Sequence, residues 1–370
     1  MTAIHQFVPA LLPRDATGDH TLALQSTLRD AGFESDIFVE AAHDDLWPLA
    51  SYFEEYPARA KPDDILLYQL STASPLADFL ASRPERLVLD YHNITPASFY
   101  EAWEDHTAAK VALARRQMAE LAPAAVLGIA DSAFNAAELH QFGCSTTVVV
   151  PILGGIEDEA RVPDPHEADR LRRDHGRSTV LLFVGRLSPN KTQHHLVEAL
   201  WLYRRWYDPE ARLHLVGPAS TPAYARALFG LAGALGLGDA VRHGTDLTDA
   251  ELAAWYADAD VFVCLSEHEG FCIPLLQAMQ AGLPVVAFGA GAVPETMGDA
   301  GILLQSKRPA AAAAAVARVA ADHRLAERMV EAGRRRVGAF VPAVVRARFV
   351  EVLGGMEPLG GMVDHGTGDG

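Results

Sequence analysis

Residues 266–279 read Ser-Glu-His-Glu-Gly-Phe-Cys-Ile-Pro-Leu-Leu-Gln-Ala-Met and follow a short β-rich run, Val-Phe-Val-Cys-Leu, at 261–265. Pro274 suits the first turn of a helix, where it has no N–H to lose. The chain is therefore expected to pass from strand through a glycine-bearing turn into a helix over 274–281. Such a turn aims backbone N–H groups and the positive end of the helix dipole at whatever occupies the crevice beyond the strand. Gly270, Phe271, Cys272 and Ile273 then form a cradle suited to a phosphate or a sugar hydroxyl. Glu269 precedes the helix and Gln277 lies one turn inside it, so both face one ligand at different depths. A capping acid and an exposed helical amide are the other reading of this pair.

Outward from this stretch the same alternation recurs. In the second half, β-rich runs at 180–184, 213–216, 284–288 and 302–304 alternate with helical stretches at 192–206, 221–235, 249–257 and 309–337. The alanine tract at 310–315 reads as helix, because Ala has the highest helix propensity and Val316, Val319 and Leu325 supply an apolar stripe. In the first half, runs at 4–8, 33–39, 65–70, 87–91, 126–130 and 146–150 alternate with helical stretches at 19–31, 101–121 and 132–141, with Asp131 or Ser132 as N-cap of the last. Strands alternating with helices from end to end give an α/β chain with parallel sheets covered on both faces. A polar segment at 154–165 reads as the linker between two halves, and the Gly-rich residues 354–370 read as a fraying tail. A length of 370 residues also suits two domains.

A second candidate group lies after the run at 180–184. Gly185 and Arg186 follow it and Lys191 comes five residues later, at the mouth of the next helix. Ligands of open α/β sheets bind outside the carboxyl ends of the strands, so both cations point into that crevice and suit a diphosphate. As an isolated pair the spacing equally fits a solvated Arg and Lys. Neither a dinucleotide fingerprint nor a P-loop is present: Gly289-Ala-Gly291-Ala-Val-Pro294 has Pro where the third Gly belongs, which argues against a nicotinamide-dependent dehydrogenase. Asp258-Ala-Asp260 has the spelling of a metal-holding carboxylate pair, but its place before a buried strand makes it structural in this reading.

With 49% apolar and 21% charged residues the composition is that of a globular protein. A net charge of −17 repels nucleic acid and anionic lipid, so an anionic ligand has to be held by local cations. No leader-like segment and no apolar run long enough for a membrane span is found, and the chain is read as cytoplasmic. Cys144, Cys264 and Cys272 form neither a disulfide framework nor a zinc pattern, as expected of buried thiols in a reducing compartment. Lys110, Arg115 and Arg116 in the 101–121 segment are offset by Glu101, Glu104, Asp105 and Glu120, which favours core packing and leaves room only for transient membrane association.

Together these motifs resemble the retaining glycosyltransferases of family 4. The most specific piece is the family's Glu-x7-Glu element, present as Glu269 and Gln277, with Gly185-Arg186-x4-Lys191 upstream and Gly289-x4-Pro294-Glu295 downstream. Ile4-His-Gln-Phe-Val-Pro9, Asp15-Ala-Thr-Gly-Asp19, Tyr91-His-Asn-Ile-Thr-Pro96 and Asp131-Ser-Ala-Phe-Asn135 resemble a bacterial subgroup. The resemblance implies a GT-B fold: two Rossmann-like domains facing across a cleft, 1–152 on the acceptor side and 153–340 on the donor side. A helix at 341–355 crosses back to the N-terminal domain, and 356–370 form a tail. It implies transfer of a hexose from a nucleotide-diphosphate sugar, GDP-mannose ahead of UDP-glucose, to a hydroxyl of a saccharide or glycoconjugate. Retention of configuration is implied, with no metal or other cofactor. Arg186 and Lys191 would hold the diphosphate, Glu269 and the backbone of Gly270, Phe271, Cys272 and Ile273 the sugar hydroxyls, and Gln277 the ribose. His92 would reach across the cleft to the donor sugar, and Thr17, Gly18 and Asp19 would form an acceptor-side loop. Gln277 departs from the family's second glutamate: it offers one acceptor oxygen and an NH2 donor where Glu offers two acceptors, so weaker donor binding or altered nucleotide preference is expected. Two halves joined by a linker are expected to close over the donor, with the cleft open without it. The rival readings are a nucleotide-sugar epimerase of the same fold, a phosphorylase, disfavoured for want of a pyridoxal site, and a sugar-nucleotide-binding protein without turnover.

Overall fold

The computed structural model describes residues 3–157, 160–176 and 178–356; most of the 356–370 tail lies outside them. The first half runs β1 (Ile4–Leu11), α1 (Ala16–Asp30), β2 (Ile37–Ala42), β3 (Ser51–Tyr52), β4 (Ile65–Leu70), α2 (Leu76–Ala81), β5 (Arg86–Tyr91), α3 (Asp105–Leu121), β6 (Leu127–Ala130), α4 (Ala133–Gln141) and β7 (Thr147–Val149). The second half runs α5 (Pro165–His175), β8 (Val180–Val184), α6 (Gln193–Trp206), β9 (Arg212–Val216), α7 (Pro222–Ala234), β10 (Val241–Gly244), α8 (Asp249–Asp258) and β11 (Val261–Cys264). It continues with α9 (Ile273–Gln280), β12 (Val285–Phe288), α10 (Val293–Met297), β13 (Gly301–Leu304), α11 (Pro309–Ala321), α12 (His323–Val337) and α13 (Pro342–Gly354).

Both sheets are parallel and doubly wound: β3-β2-β1-β4-β5-β6-β7 and β10-β9-β8-β11-β12-β13. Strands buried on both faces read as continuous apolar runs, as β4 does with Ile-Leu-Leu-Tyr-Gln-Leu entirely buried. In such sheets the crevice opens where the strand order reverses, here between β1 and β4 in one half and between β8 and β11 in the other. Helix α13 leaves the second half and lays Val345, Phe349 and Leu353 into the core formed by Ile4, Leu24, Leu28 and Val88. This is the two-domain GT-B arrangement, crossover helix included. Among the described residues no helix is long and apolar enough to cross a membrane.

Three expectations are corrected. The helix expected over 309–337 is two helices, because Asp322 leaves helical geometry and its carboxylate accepts from the Leu325 N–H at 3.0 Å, starting α12 afresh. The polar stretch around the linker hides α5, capped by Asp164 on the Glu167 N–H at 2.7 Å; only Leu171 of this helix is buried, so its apolar signal is weak. Residues 17–19 are not a loop, since α1 begins at Ala16 with Asp15 as N-cap, and Thr17, Gly18 and Asp19 fill its first turn.

Phe349 is fully buried and its ring lies 5.3 Å from that of His20. Phe349→Ala is expected to cost about 4 kcal/mol of stability through lost burial and the cavity left behind. Urea unfolding checks it, the transition of the N-terminal half moving to lower denaturant.

Candidate active site

On the second-half side, β8 ends at Val184, Gly185 donates its N–H to Val216 O at 2.8 Å, and Arg186 is exposed beyond the strand end. Lys191 and Glu269, which the sequence reading assigned to different parts of a ligand, are an ion pair: Lys191 Nζ lies 2.5 Å from Glu269 Oε2, with both side chains largely buried. Burial works against the Lys191 charge, but the Glu269 carboxylate outweighs it and holds the ammonium's pKa above its ordinary value. The pair spans the switch point between β8 and β11. Asn190 ties the same two segments, accepting from Glu267 N–H at 2.9 Å and donating from Nδ2 to His268 O at 3.3 Å.

The turn after Glu269 is held from several directions. Gly270 carries no Cβ because one would lie 2.4 Å from Asn93 Cβ of the opposite half. Gly291 adopts a left-handed φ of +55° with its backbone against Glu269, where a Cβ would sit 2.4 Å from Glu269 O. The Phe271 ring packs edge-on to Phe340, away from the cleft, and its carbonyl accepts from Thr296 Oγ1 at 2.6 Å. Cys272, at φ +73°, caps α9, and Ile273 packs against the linker at Gly155. The turn is thus anchored within its own half by Phe271, Thr296 and Ile273.

Gln277 is engaged at both ends. Its Oε1 accepts from Tyr256 OH at 3.1 Å and its Nε2 donates to Gly155 O in the linker at 2.9 Å. A glutamate here has no hydrogen to give Gly155, so the departure from the family pattern coincides with a contact that only an amide makes.

On the first-half side, His92 follows β5 and Asp131 follows β6. Gln6 Nε2 donates to Thr21 O at 2.9 Å, which leaves Gln6 Oε1 to accept from Gln69 Nε2 at 3.0 Å. Gln69 Oε1 is thereby left to accept from His92 Nε2 at 2.6 Å, while His92 Nδ1 faces both Asp131 oxygens at 3.2 Å. Acceptors at both ring nitrogens call for a doubly protonated imidazole. Although burial opposes the charge, Asp131 and Asp90 raise the His92 pKa from 6.5 to about 9. His92 is 3% exposed, and with both nitrogens used inside its own half it does not reach across the cleft here. His20 completes the cluster: Leu153 N–H donates to its Nδ1 at 2.9 Å, so its Nε2 hydrogen points at Asp90 Oδ2, also 2.9 Å away. His20, Asp90, Gln6 and Gln69 were not singled out from sequence; the signal of Gln6, Gln69 and Asp90 was a polar side chain within a largely apolar strand, and His20 sits in the polar start of α1.

The expected open cleft is instead bridged at this end. Ser132 Oγ donates to Gly270 O at 2.7 Å, and Glu295 of the second half accepts from Ala133 N–H at 2.8 Å, capping α4 from across the cleft. His268 Nε2 lies 2.6 Å from Asn93 Oδ1, and Arg14 donates to Leu247 O at 3.2 Å.

Among the described residues two clusters bring metal-ligating atoms within 4.8 Å of one another: His20, Asp90 and His92, and Cys264, Glu269 and Cys272. In the first the ring nitrogens are committed as above, and in the second Glu269 is paired with Lys191. Asp258 and Asp260 do not converge: Asp258 pairs with His175 Nε2 at 2.9 Å and Asp260 accepts from Val180 N–H at 2.8 Å.

Comparison with known proteins places this geometry. Residues 167–336 match the family described as glycosyl transferases, group 1. The chain is 34% identical over 225 residues to a D-inositol 3-phosphate glycosyltransferase of Geodermatophilus obscurus, covering 58% of this chain and 48% of that one. It is also 34% identical over 191 residues to a GDP-mannose-dependent alpha-(1-6)-phosphatidylinositol monomannoside mannosyltransferase of Mycolicibacterium smegmatis, covering 49% of each. The chain thus spans about half the length of the curated relatives it matches. Among solved structures, Anabaena HepE in complex with UDP-glucose superposes with a TM-score of 0.76 at 21% identity, covering 95% of this chain and 99% of that one.

Two predictions follow the geometry. The His92 pKa is raised on folding, so the stability it contributes is full below pH 6.5 and is lost as pH rises through about 9. Asp131→Asn is expected to flatten the pH dependence of unfolding across that window and to lower the His92 pKa in an NMR titration. Gln277→Glu is expected to lose about 1 kcal/mol through the unsatisfied Gly155 carbonyl, read as a lower melting temperature of the ligand-free protein.

Proposed function

The chain carries a group 1 glycosyl transferase domain at residues 167–336, and from that premise we propose that it is a retaining, metal-independent hexosyltransferase. It moves a hexose from a nucleotide-diphosphate sugar, GDP-mannose ahead of UDP-glucose, to a hydroxyl of a saccharide or glycoconjugate. The observation that carries this reading is the switch-point arrangement of exposed Arg186, the Lys191–Glu269 pair and the N-terminus of α9. Cations and a helix N-terminus suit a diphosphate, and a carboxylate beside them suits sugar hydroxyls. The GDP-mannose dependence of the M. smegmatis relative supports the donor preference.

In this reading the bond from the anomeric carbon to the diphosphate oxygen breaks as the acceptor oxygen bonds to the same face of the sugar. The acceptor's proton passes to the departing phosphate oxygen. Arg186 and Lys191 stabilise the charge that grows on the leaving group, and Glu269 orients the sugar; positioning and fixed charge of this kind are each worth several kcal/mol. Lys191 is pre-oriented by Glu269 and pays little reorganisation when the diphosphate arrives. The imidazolium of His92, held by Gln69 and Asp131, lies on the acceptor side of the cleft with the carboxylates of Asp131 and Asp90 beside it, and it positions that end of the site without touching the donor.

Thermal unfolding against UDP-, GDP-, ADP- and dTDP-hexoses, with EDTA and without added metal, tests the donor site. A ligand at 100 times its Kd adds about 2.7 kcal/mol. A shift with one nucleotide class that survives EDTA is expected; no shift with any of them sinks the reading. Arg186→Ala, an exposed change, is expected to lower kcat about 100-fold with a smaller change in KM, since leaving-group charge grows toward the transition state.

A further inference from the structure

Beyond Asp19 and His92, the acceptor side of the cleft continues along the carboxyl edge of the first sheet. The first turn of α1 packs under the loop after β1, with Gly18 so close that a Cβ would lie 3.0 Å from Leu12 O. That loop reaches the second half through Arg14 and the next one through the His43 N–H on Leu11 O at 2.9 Å. The segment after β2 then carries Trp47, which packs against the cluster of Val8, Leu11, Ile37 and Val39, and edge strand β3 carries Tyr52. Their rings are neighbours, with centroids 4.4 Å apart and planes inclined at 43°. Tyr52 is 50% exposed, Leu49 49% and Leu12 46%. Large apolar side chains rarely gather at the surface without a partner.

We propose that Trp47 and Tyr52 form an acceptor subsite that stacks on a sugar ring remote from the reacting hydroxyl, so that the acceptor is an oligosaccharide rather than a single sugar. The proposal rests on the transferase reading above and names the substrate class of its acceptor side. The chemistry of the patch selects the occupant. A pyranose offers an apolar C–H face to an aromatic ring and hydroxyls at its rim. Exposed Asp44 and Asp45 beside Trp47, and Glu54 and Glu55 beyond Tyr52, accept from hydroxyls and repel phosphate or an anionic lipid surface. The position fits as well. From β5, which ends just before His92, the order runs through β4 and β1 to β2, three strand spacings or about 14 Å, and one further to β3. That separation lies within the span of a short oligosaccharide whose terminal sugar sits beside His92.

Ligand-observed NMR with the full chain compares mannotriose, maltotriose and chitotriose with mannose, glucose and N-acetylglucosamine, in the wild type, Tyr52→Ala and Trp47→Ala. Tyr52 is exposed, so its variant keeps the fold, and a melting curve checks Trp47→Ala. At least one trisaccharide is expected to bind the wild type more tightly than its monosaccharide, and each variant to weaken that trisaccharide about 5-fold while the monosaccharide is unaffected. The nucleotide-sugar melting shift stays intact in both variants. Equal binding of tri- and monosaccharides by the wild type, or trisaccharide binding unchanged in Tyr52→Ala, overturns the subsite. So does co-sedimentation with phosphatidylserine vesicles that both variants abolish, which makes the patch a membrane contact. A missing nucleotide-sugar shift alongside retained trisaccharide preference would instead count against the donor reading, leaving a saccharide-binding edge.

Discussion

Lys191 and Glu269 lie at the ends of two adjacent strands, β8 and β11, and their contact across the switch point organises the second half of the molecule. Two charges withdrawn from water gain from each other only when the geometry is good, and removing one leaves the other buried and uncompensated. The surrounding structure is built to hold that geometry. Asn190 stitches both segments, Gly291 lets the backbone approach Glu269, and Phe271 and Thr296 anchor the following turn against the body of the domain. Arg186 stands beside the pair in solvent, so the site combines one pre-oriented cation with one mobile one.

The first half solves a related problem with amides. A chain from the Thr21 carbonyl through Gln6 and Gln69 leaves His92 facing an acceptor on one side and Asp131 on the other, so its charge is set by the fold as much as by pH. The same cluster is joined to the linker and to the crossover helix. His20 takes a hydrogen bond from Leu153, at the start of the linker, and touches Phe349 of the crossover helix. On the other side Gln277 holds Gly155, two residues further along the same linker. The linker is clasped by both halves, in the first through His20 and in the second through Gln277.

Much of this was legible in the sequence because its signals are local. Short β-rich runs gave most strands, Pro274 gave the start of α9 to within a residue, and the positions of Arg186, Lys191 and Glu269 after such runs placed them beyond strand ends. What failed was also local in cause. Asp322 restarts a helix inside an alanine-rich run that reads as continuous, α5 has one buried residue to announce it, and the edge strand β10 carries Arg242 and His243 in place of an apolar pattern.

The sequence by itself determined the layer architecture and the strand-end positions of Arg186, Lys191 and Glu269, since β-rich runs, helix starts and strand ends depend on neighbours in the chain. Only the tertiary structure decided the pairings. That Lys191 meets Glu269, that Gln277 spends its amide on Gly155 and Tyr256, that His92 is enclosed by Gln69 and Asp131, and that Glu295 caps a helix of the opposite half are contacts between residues from 21 to 162 positions apart. Parallel sheets force this, because each strand's neighbour arrives only after a crossover. Hydrogen-bond direction and charge at the site are then fixed by partners that no local pattern names.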